Sequence, residues 1–184
     1  MNLKPQTEMT CIETRPWLDW TTWQTPRWLT AIARTSLSQP ARLAVEAGVI
    51  TTATTVLDYG CGRAWDVAAL KEKGVKAIGF DAFFAADTPL VKADVVQLAF
   101  VLNVIESADE RLEVLQLCYS LARASLIVAV QTPSPGRGRV GEQITSIGTY
   151  QKYFTQADLR ALIAEALGDV EVRSLGGGMV VVGA

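Results

Sequence analysis

The stretch Val56 to Leu70, VLDYGCGRAWDVAAL, constrains this chain more than any other. Thr55-Val56-Leu57 suits a buried parallel strand, and Asp58 closes it. Gly60 and Gly62 permit a tight turn and a close approach of backbone to a ligand. Trp65 to Lys73 then has helical spacing, with Val67, Ala68 and Leu70 on one side and Gly74 as the stop. A strand, a glycine turn and a helix in this order aim a helix N-terminus at a small ligand.

The details of the turn choose between ligands. A dinucleotide-binding turn carries three glycines as G-x-G-x-x-G. Here the third position is Trp65, the largest side chain, which disfavours close helix–strand packing over a pyrophosphate and with it a nicotinamide-linked reductase. What the turn has instead is an acid two residues before the first glycine, Asp58-x-Gly60-x-Gly62.

Composition narrows the chemistry further. At 184 residues the chain is long enough for one sizeable core. A net charge of −2 leaves no global nucleic-acid footprint. No run of 18 apolar residues marks a membrane span, and the first residues lack the apolar stretch of a signal peptide. Cys11, Cys61 and Cys118 are scattered and odd in number, which fits a reducing, cytoplasmic setting. The chain has no histidine. That excludes Ser-His-Asp and Cys-His catalysis and zinc held by imidazole, so no metal site is expected.

Along the chain, residues 1–29 form a polar segment with Trp17, Trp20, Trp23 and Trp28, either laid over the core or serving as a lid or partner surface. Residues 30–184 read as the folded domain. Residues 30–50 suggest two helical pieces, with Ser38 as an N-cap and Pro40 in the first turn. Further strands are expected over Ala77–Asp81, Val95–Leu102 and Ser125–Val130, with a helix from about 109 to 122 opened by Ser107. Residues 132–149, broken by Pro and Gly, read as a long loop with the character of a lid. A helix capped by Thr155 and Asp158 and a closing hairpin, Val170–Leu175 with Met179–Val182, complete the order. The expectation is an α/β, doubly wound, mostly parallel sheet with a C-terminal antiparallel hairpin strand.

Two more segments carry chemistry. Asp81 ends the second strand 21 residues after Gly60, the spacing of an acid that accepts hydrogen bonds from ribose hydroxyls. Asn103-Val104-Ile105-Glu106 follows the third strand at the carboxyl edge of the sheet, where open α/β sheets bind ligands.

Together these residues resemble the class I S-adenosyl-L-methionine (SAM) methyltransferases. Asp58, Gly60 and Gly62 resemble the family's first motif, Asp81 its second, and the segment from Asp94 through Asn103 to Glu106 its fourth. The resemblance implies SAM as cofactor, bound by Asp58, Gly60, Cys61, Gly62, Asp81, Ala82 and Asn103. It implies Asn103 and Glu106 as the residues nearest the reaction. Only 12 residues separate Asp81 from Asp94, too few for the family's third strand and its helix. That contraction leaves the adenine end of the site unassigned, with Ala82, Phe83, Ala93 and Asp94 as candidates. The chain also lacks the D/N-P-P-Y/F/W phrase of amino-group DNA and RNA methyltransferases and a Pro-Cys nucleophile.

With the run from Thr30 to Pro40 and the phrase from Gly148 to Thr155, the pattern is similar to the methyltransferases associated with DNA phosphorothioation. This implies methyl transfer to an O, N or S acceptor near DNA modification. Arg137, Arg139 and Lys152 are the only basic residues near the long loop, a thin nucleic-acid contact. The alternative is a catalytically reduced SAM-fold binding or regulatory module acting through a protein partner; a protein partner or a homo-oligomer is compatible with either reading.

Overall fold

The computed structural model describes residues 15–184; Cys11 and the rest of the first 14 residues of the N-terminal segment lie outside the described residues. The main sheet has six strands. In chain order these are β1 (Thr55–Tyr59), β2 (Lys76–Phe80), β3 (Ala93–Ala99), β4 (Ala122–Ala129), and β7 (Val172–Gly176) with β8 (Met179–Gly183). Two short strands, β5 (Glu142–Ile144) and β6 (Tyr150–Lys152), pair separately. The helices are α1 (Gln39–Glu46), α2 (Trp65–Glu72), α3 (Ala108–Leu121) and α4 (Gln156–Leu167). The sheet order is β2-β1-β3-β4-β8-β7, parallel up to β4, with β8 antiparallel to both β4 and β7.

The alternation of side chains along the strands builds two cores. Leu126, Val128, Val180 and Val182 face α3 and α4 together with Leu98, Leu115 and Ile163. Ile127, Ala129 and Val181 face the opposite layer, with Ala44 of α1 and Val67 and Leu70 of α2. Covering both faces explains why β3 and β4 are apolar runs rather than alternating ones. The capping box at Thr155 forms as the sequence suggests, with Thr155 and Asp158 each accepting the other's backbone N–H. Ser38 caps α1, accepting from Ala41 N.

Four sequence expectations need correction. Residues 30–50 hold one α-helix, α1, preceded by a 3-10 turn at Arg27–Thr30. The third strand ends at Ala99 rather than Leu102, because Phe100 turns into the left-handed region at φ +64°. The fourth strand begins at Ala122 directly from α3, with no intervening loop. The segment 132–149 is not all loop, since β5 lies within it and pairs with β6, Glu142 opposite Lys152.

The chain passes from β2 on one side of β1 to β3 on its other side. This reversal opens a crevice beyond the carboxyl ends of β1 and β3, the place where doubly wound sheets bind ligands. Among the described residues no strand lies outside β2, so β2 forms one edge of the sheet. No helix of the described residues is long and apolar enough to cross a membrane.

Candidate functional site

A cavity of about 620 Å³ occupies that crevice. Its wall is built from the turns that follow β1, β2 and β3, and it is roofed by the N-terminal segment. Asp58, Gly60, Cys61, Gly62, Asp81 and Ala82 all line it, so these sequence-derived candidates converge in space.

The turn after β1 explains its glycines. Gly60 has φ +74°, and a Cβ there would lie 2.3 Å from a methyl group of Val101. Gly62 has φ +54°, and a Cβ there would lie 3.1 Å from Ala31 of the N-terminal segment. The turn is therefore closed on one side by the β3 exit and on the other by the roof. Cys61 points at the sheet. Gly79 of β2 leaves its thiol room, for a Cβ at Gly79 would be 2.7 Å from the sulfur. Burial pushes that thiol up to about 12, so it stays protonated and unreactive at neutral pH.

Asp58 is buried at 4% exposure. Its Oδ1 accepts from Gln97 Nε2 at 3.0 Å. The same amide group reaches Oδ2 of Asp66 at 3.5 Å. Asp66 sits in the first turn of α2 and accepts from Ser38 N and Ser38 Oγ. Burial, then the Asp66 charge, pushes Asp58 up to about 7. Gln97 Oε1 is buried with no hydrogen-bond partner.

Asp81 ties the turn to the sheet. Its Oδ2 accepts from Gly62 N at 2.9 Å, and its Oδ1 accepts from Phe83 N and Phe84 N at 2.9 and 3.0 Å. A carboxylate has about four acceptor positions, so one remains for a ligand hydroxyl. α2 begins without a side-chain cap, and its N-cap residue, Ala64, is itself left-handed at φ +59°. Ala64 and Phe100, the two non-glycine residues with positive φ among those described, both stand beside the cavity. Such strain clusters at ligand sites.

Asn103 and Glu106 are placed differently. Asn103 is fully buried and stitches three segments, donating to Lys152 O and Gln131 O and accepting from Gln131 N. Glu106 is held by Arg27, whose Nε and Nη2 both reach its Oε2, and by the Thr25 hydroxyl. Neither residue lines the cavity. Through these bonds both hold the loop after β3 against its neighbours.

Several residues escaped the sequence argument. Gln97 had a signal, a polar residue inside an apolar strand. Asp66 had a weaker one, an acid in the first turn of a helix without a cap. Arg27, buried and shared between Glu106 and Glu110, had none, because its partners lie about 80 positions away. Arg111 likewise organises the loop through Ile105 O, Glu106 O and the Tyr150 hydroxyl.

Comparison with known proteins gives the fold a context. No family model matches the chain, and no curated protein matches it. Solved structures do. The 1,6-didemethyltoxoflavin-N1-methyltransferase of Burkholderia thailandensis, solved with S-adenosylhomocysteine, superposes with a TM-score of 0.53 at 16% identity, over 89% of this chain and 78% of that one. The CcbJ methyltransferase of Streptomyces caelestis gives 0.55 at 13% identity, over 84% and 92%. A SAM-dependent methyltransferase of Archaeoglobus fulgidus gives 0.53 at 20% identity, over 73% and 70%. The chain has the fold of these methyltransferases, and at such identities the likeness is one of fold.

Proposed function

We propose that this chain binds SAM in the crevice and transfers its methyl group to an O, N or S atom of a second molecule held in the same cavity. The observation that carries this is the trio Asp58, Asp66 and Asp81 gathered around the glycine turn. Three carboxylates converge on one cavity end, which suits a ligand bearing a sulfonium and an ammonium.

When bound, SAM supplies an activated methyl group and a neutral leaving group. The chain's residues then have modest tasks. The Gly60–Gly62 turn brings backbone against the ligand, while Asp58 and Asp66 attract its cationic end. Asp81 offers its remaining acceptor position to a ribose hydroxyl. The N-terminal roof keeps water out, through Trp17, Trp23 and Trp28 on the cavity wall. Little acid–base chemistry is required, in keeping with a chain free of histidine.

Besides charged residues such as Arg34, Glu110 and Arg139, the rest of the cavity wall includes Ile105, Gln131, Ile147, Thr149 and Gln151. This apolar wall with a few amides and hydroxyls fits a small acceptor with an apolar body. The resemblance to DNA-modification methyltransferases makes DNA a second acceptor class. Lys152 pairs with Glu142 in the hairpin, and Arg137 and Arg139 make no salt bridge among the described residues.

Isothermal titration with S-adenosylhomocysteine, followed by transfer of labelled methyl from SAM to a small-molecule extract and to DNA, tests the proposal. Micromolar binding and label in the small-molecule fraction are expected. Absence of binding by folded protein refutes it. Binding without any transfer favours instead a cofactor-binding module that acts through a partner, a reading supported by the structural employment of Asn103 and Glu106.

A further inference from the structure

The mouth of the cavity is rimmed by apolar side chains that water reaches. Seven large apolar side chains are exposed among the described residues. Four of them, Leu29, Ile32, Trp65 and Ile147, line the cavity, with Ile32 at 64% and Ile147 at 58% exposure. Two more, Val140 and Ile144, are chain neighbours of the wall residues Arg139 and Thr145. Exposed apolar residues scattered singly need no explanation, but a group of them around one opening marks a surface that an apolar body covers. Trp65, which stands where a dinucleotide turn has its third glycine, belongs to this group.

Two arginines stand on the same wall. Arg34 is half-buried and Arg139 is exposed, and neither makes a salt bridge among the described residues. They come from the segments that carry Ile32 and Ile147. The acids of the wall are engaged. Glu110 is held by Arg27, Asp66 by Ser38 and Asp58 by Gln97, and Asp81 accepts from three backbone N–H groups. No lysine of the described residues lines the cavity, and the chain has no histidine. Burial keeps the Cys61 thiol and the Tyr59 phenol protonated. No group of the wall stands ready to take a proton from an acceptor.

We infer that the methyl acceptor is an apolar carboxylic acid, bound across the mouth with its body on Leu29, Ile32, Trp65 and Ile147 and its carboxylate drawn in by Arg34 and Arg139. The inference rests on the cofactor reading above and names its substrate class. A carboxyl group is already ionised in neutral water, so such an acceptor brings its own nucleophile. One carboxylate oxygen rests on a guanidinium while the other faces the methyl group. A lone pair of that oxygen forms the new O–C bond as the C–S bond breaks, the C–S electron pair stays on sulfur, and no proton moves. A carboxylate and a sulfonium become a neutral methyl ester and a neutral thioether. The ester has no charge for the arginines to hold, which favours its release. An amine would instead gain positive charge beside two cations, and an alcohol would need a base.

The test titrates the full chain, saturated with S-adenosylhomocysteine, with decanoate, decanol and decylamine, which share an apolar body and differ in the head group. Decanoate is expected to bind about ten-fold more tightly than either of the others. Ile147→Ser is expected to weaken decanoate and decanol alike, by about ten-fold. Arg34→Gln and Arg139→Gln are each expected to weaken decanoate alone, by about five-fold. Affinity for S-adenosylhomocysteine is expected to stay unchanged in all three variants. Ile147 and Arg139 are exposed, so their variants keep the test open should Arg34→Gln fail to fold. Label transferred from SAM to a small-molecule extract is expected to leave as methanol in mild alkali, as the label of a methyl ester does and that of a methylamine or methyl ether does not. Equal binding of the three probes, unchanged decanoate affinity in the folded variants, or alkali-stable label overturns the inference while the cofactor reading stands. Weakened S-adenosylhomocysteine binding in the arginine variants assigns these cations to the cofactor's own carboxylate and also overturns it. A wild-type chain that does not bind S-adenosylhomocysteine overturns both readings.

Discussion

Arg27 grips Glu106 and Glu110 at once, its guanidinium 2.5 Å from a carboxylate oxygen of each, with all three side chains largely buried. This one residue fastens the N-terminal segment to the exit of β3 and to the first turn of α3. Thr25 adds a bond to Glu106 and Tyr150 N donates to the Thr25 hydroxyl, so the hairpin is drawn into the same knot. The roof of the crevice is therefore bolted to its floor.

Arg27→Met should accordingly cost about 3 kcal/mol of stability, because it leaves two largely buried carboxylates side by side without a cation, Glu106 keeping only the Thr25 hydroxyl. Chemical denaturation measures this. The triple variant Arg27→Met, Glu106→Gln, Glu110→Gln should regain most of the loss, since it removes the charges along with their partner. If the triple variant is no more stable than the single one, the buried-charge account is wrong.

Gly60→Ala should be more damaging than Gly62→Ala. Both force alanine into a left-handed backbone, at about 1–2 kcal/mol. Only Gly60 adds a severe overlap, with Val101 at 2.3 Å against 3.1 Å to Ala31 for Gly62. A total of about 3 kcal/mol for Gly60→Ala is expected, with Val101→Ala restoring the steric part. Melting curves of the four proteins check the order.

Asp58 gives the folded chain a pH signature. Its folded pKa, about 7, lies above its unfolded value of 3.8, so the folded state holds the extra proton in between. Stability therefore falls as pH rises toward 7 and levels off above it. Asp94 and Asp158 are held low by hydrogen bonds from Thr55 and Thr155, and their contributions are lost only at more acid pH. Between pH 5 and about 7 the slope should belong to Asp58, with Asp66, Asp81 and Cys61 as its nearest titratable neighbours. Asp58→Asn should flatten it. A cationic ligand holds Asp58 as the carboxylate, so S-adenosylhomocysteine binding at pH 6 should release a proton from wild type and none from Asp58→Asn. Calorimetry in two buffers of different ionisation enthalpy reads this directly.

Asn103→Ala should behave as a structural lesion. It strands Gln131 N and takes from Lys152 O the shorter of its two donors, leaving Gln151 Nε2, at about 2 kcal/mol in total. Melting temperature should drop, and the pH dependence of any methyl transfer should keep its shape. A variant with wild-type stability and abolished transfer would instead place Asn103 at the reacting atoms.

The fold was largely legible because its signals are local. Strand, glycine turn and helix from Val56 to Leu70 are set by residues within a few positions of each other, and the caps at Ser38 and Thr155 work the same way. The boundary at Phe100 was not legible, since nothing in an apolar run announces a left-handed phenylalanine. Nor was β5, which exists only because β6 returns to pair with it.

The division is the same at the site. By itself the sequence determined that Asp58, Gly60, Gly62 and Asp81 would meet, because parallel strands place their carboxyl ends side by side and the turn residues must follow there. It also determined that the region after Asp81 was short. Which side chains face the cavity was decided only by the tertiary structure. Glu106 stands near the crevice in sequence but is spent on Arg27, and Asn103 on Lys152 and Gln131. Trp28, more than 50 residues from Asp81, reaches the edge of the sheet and stacks on Phe83. Such pairings depend on burial and charge compensation between distant segments, and these forces act only once the chain has closed on itself.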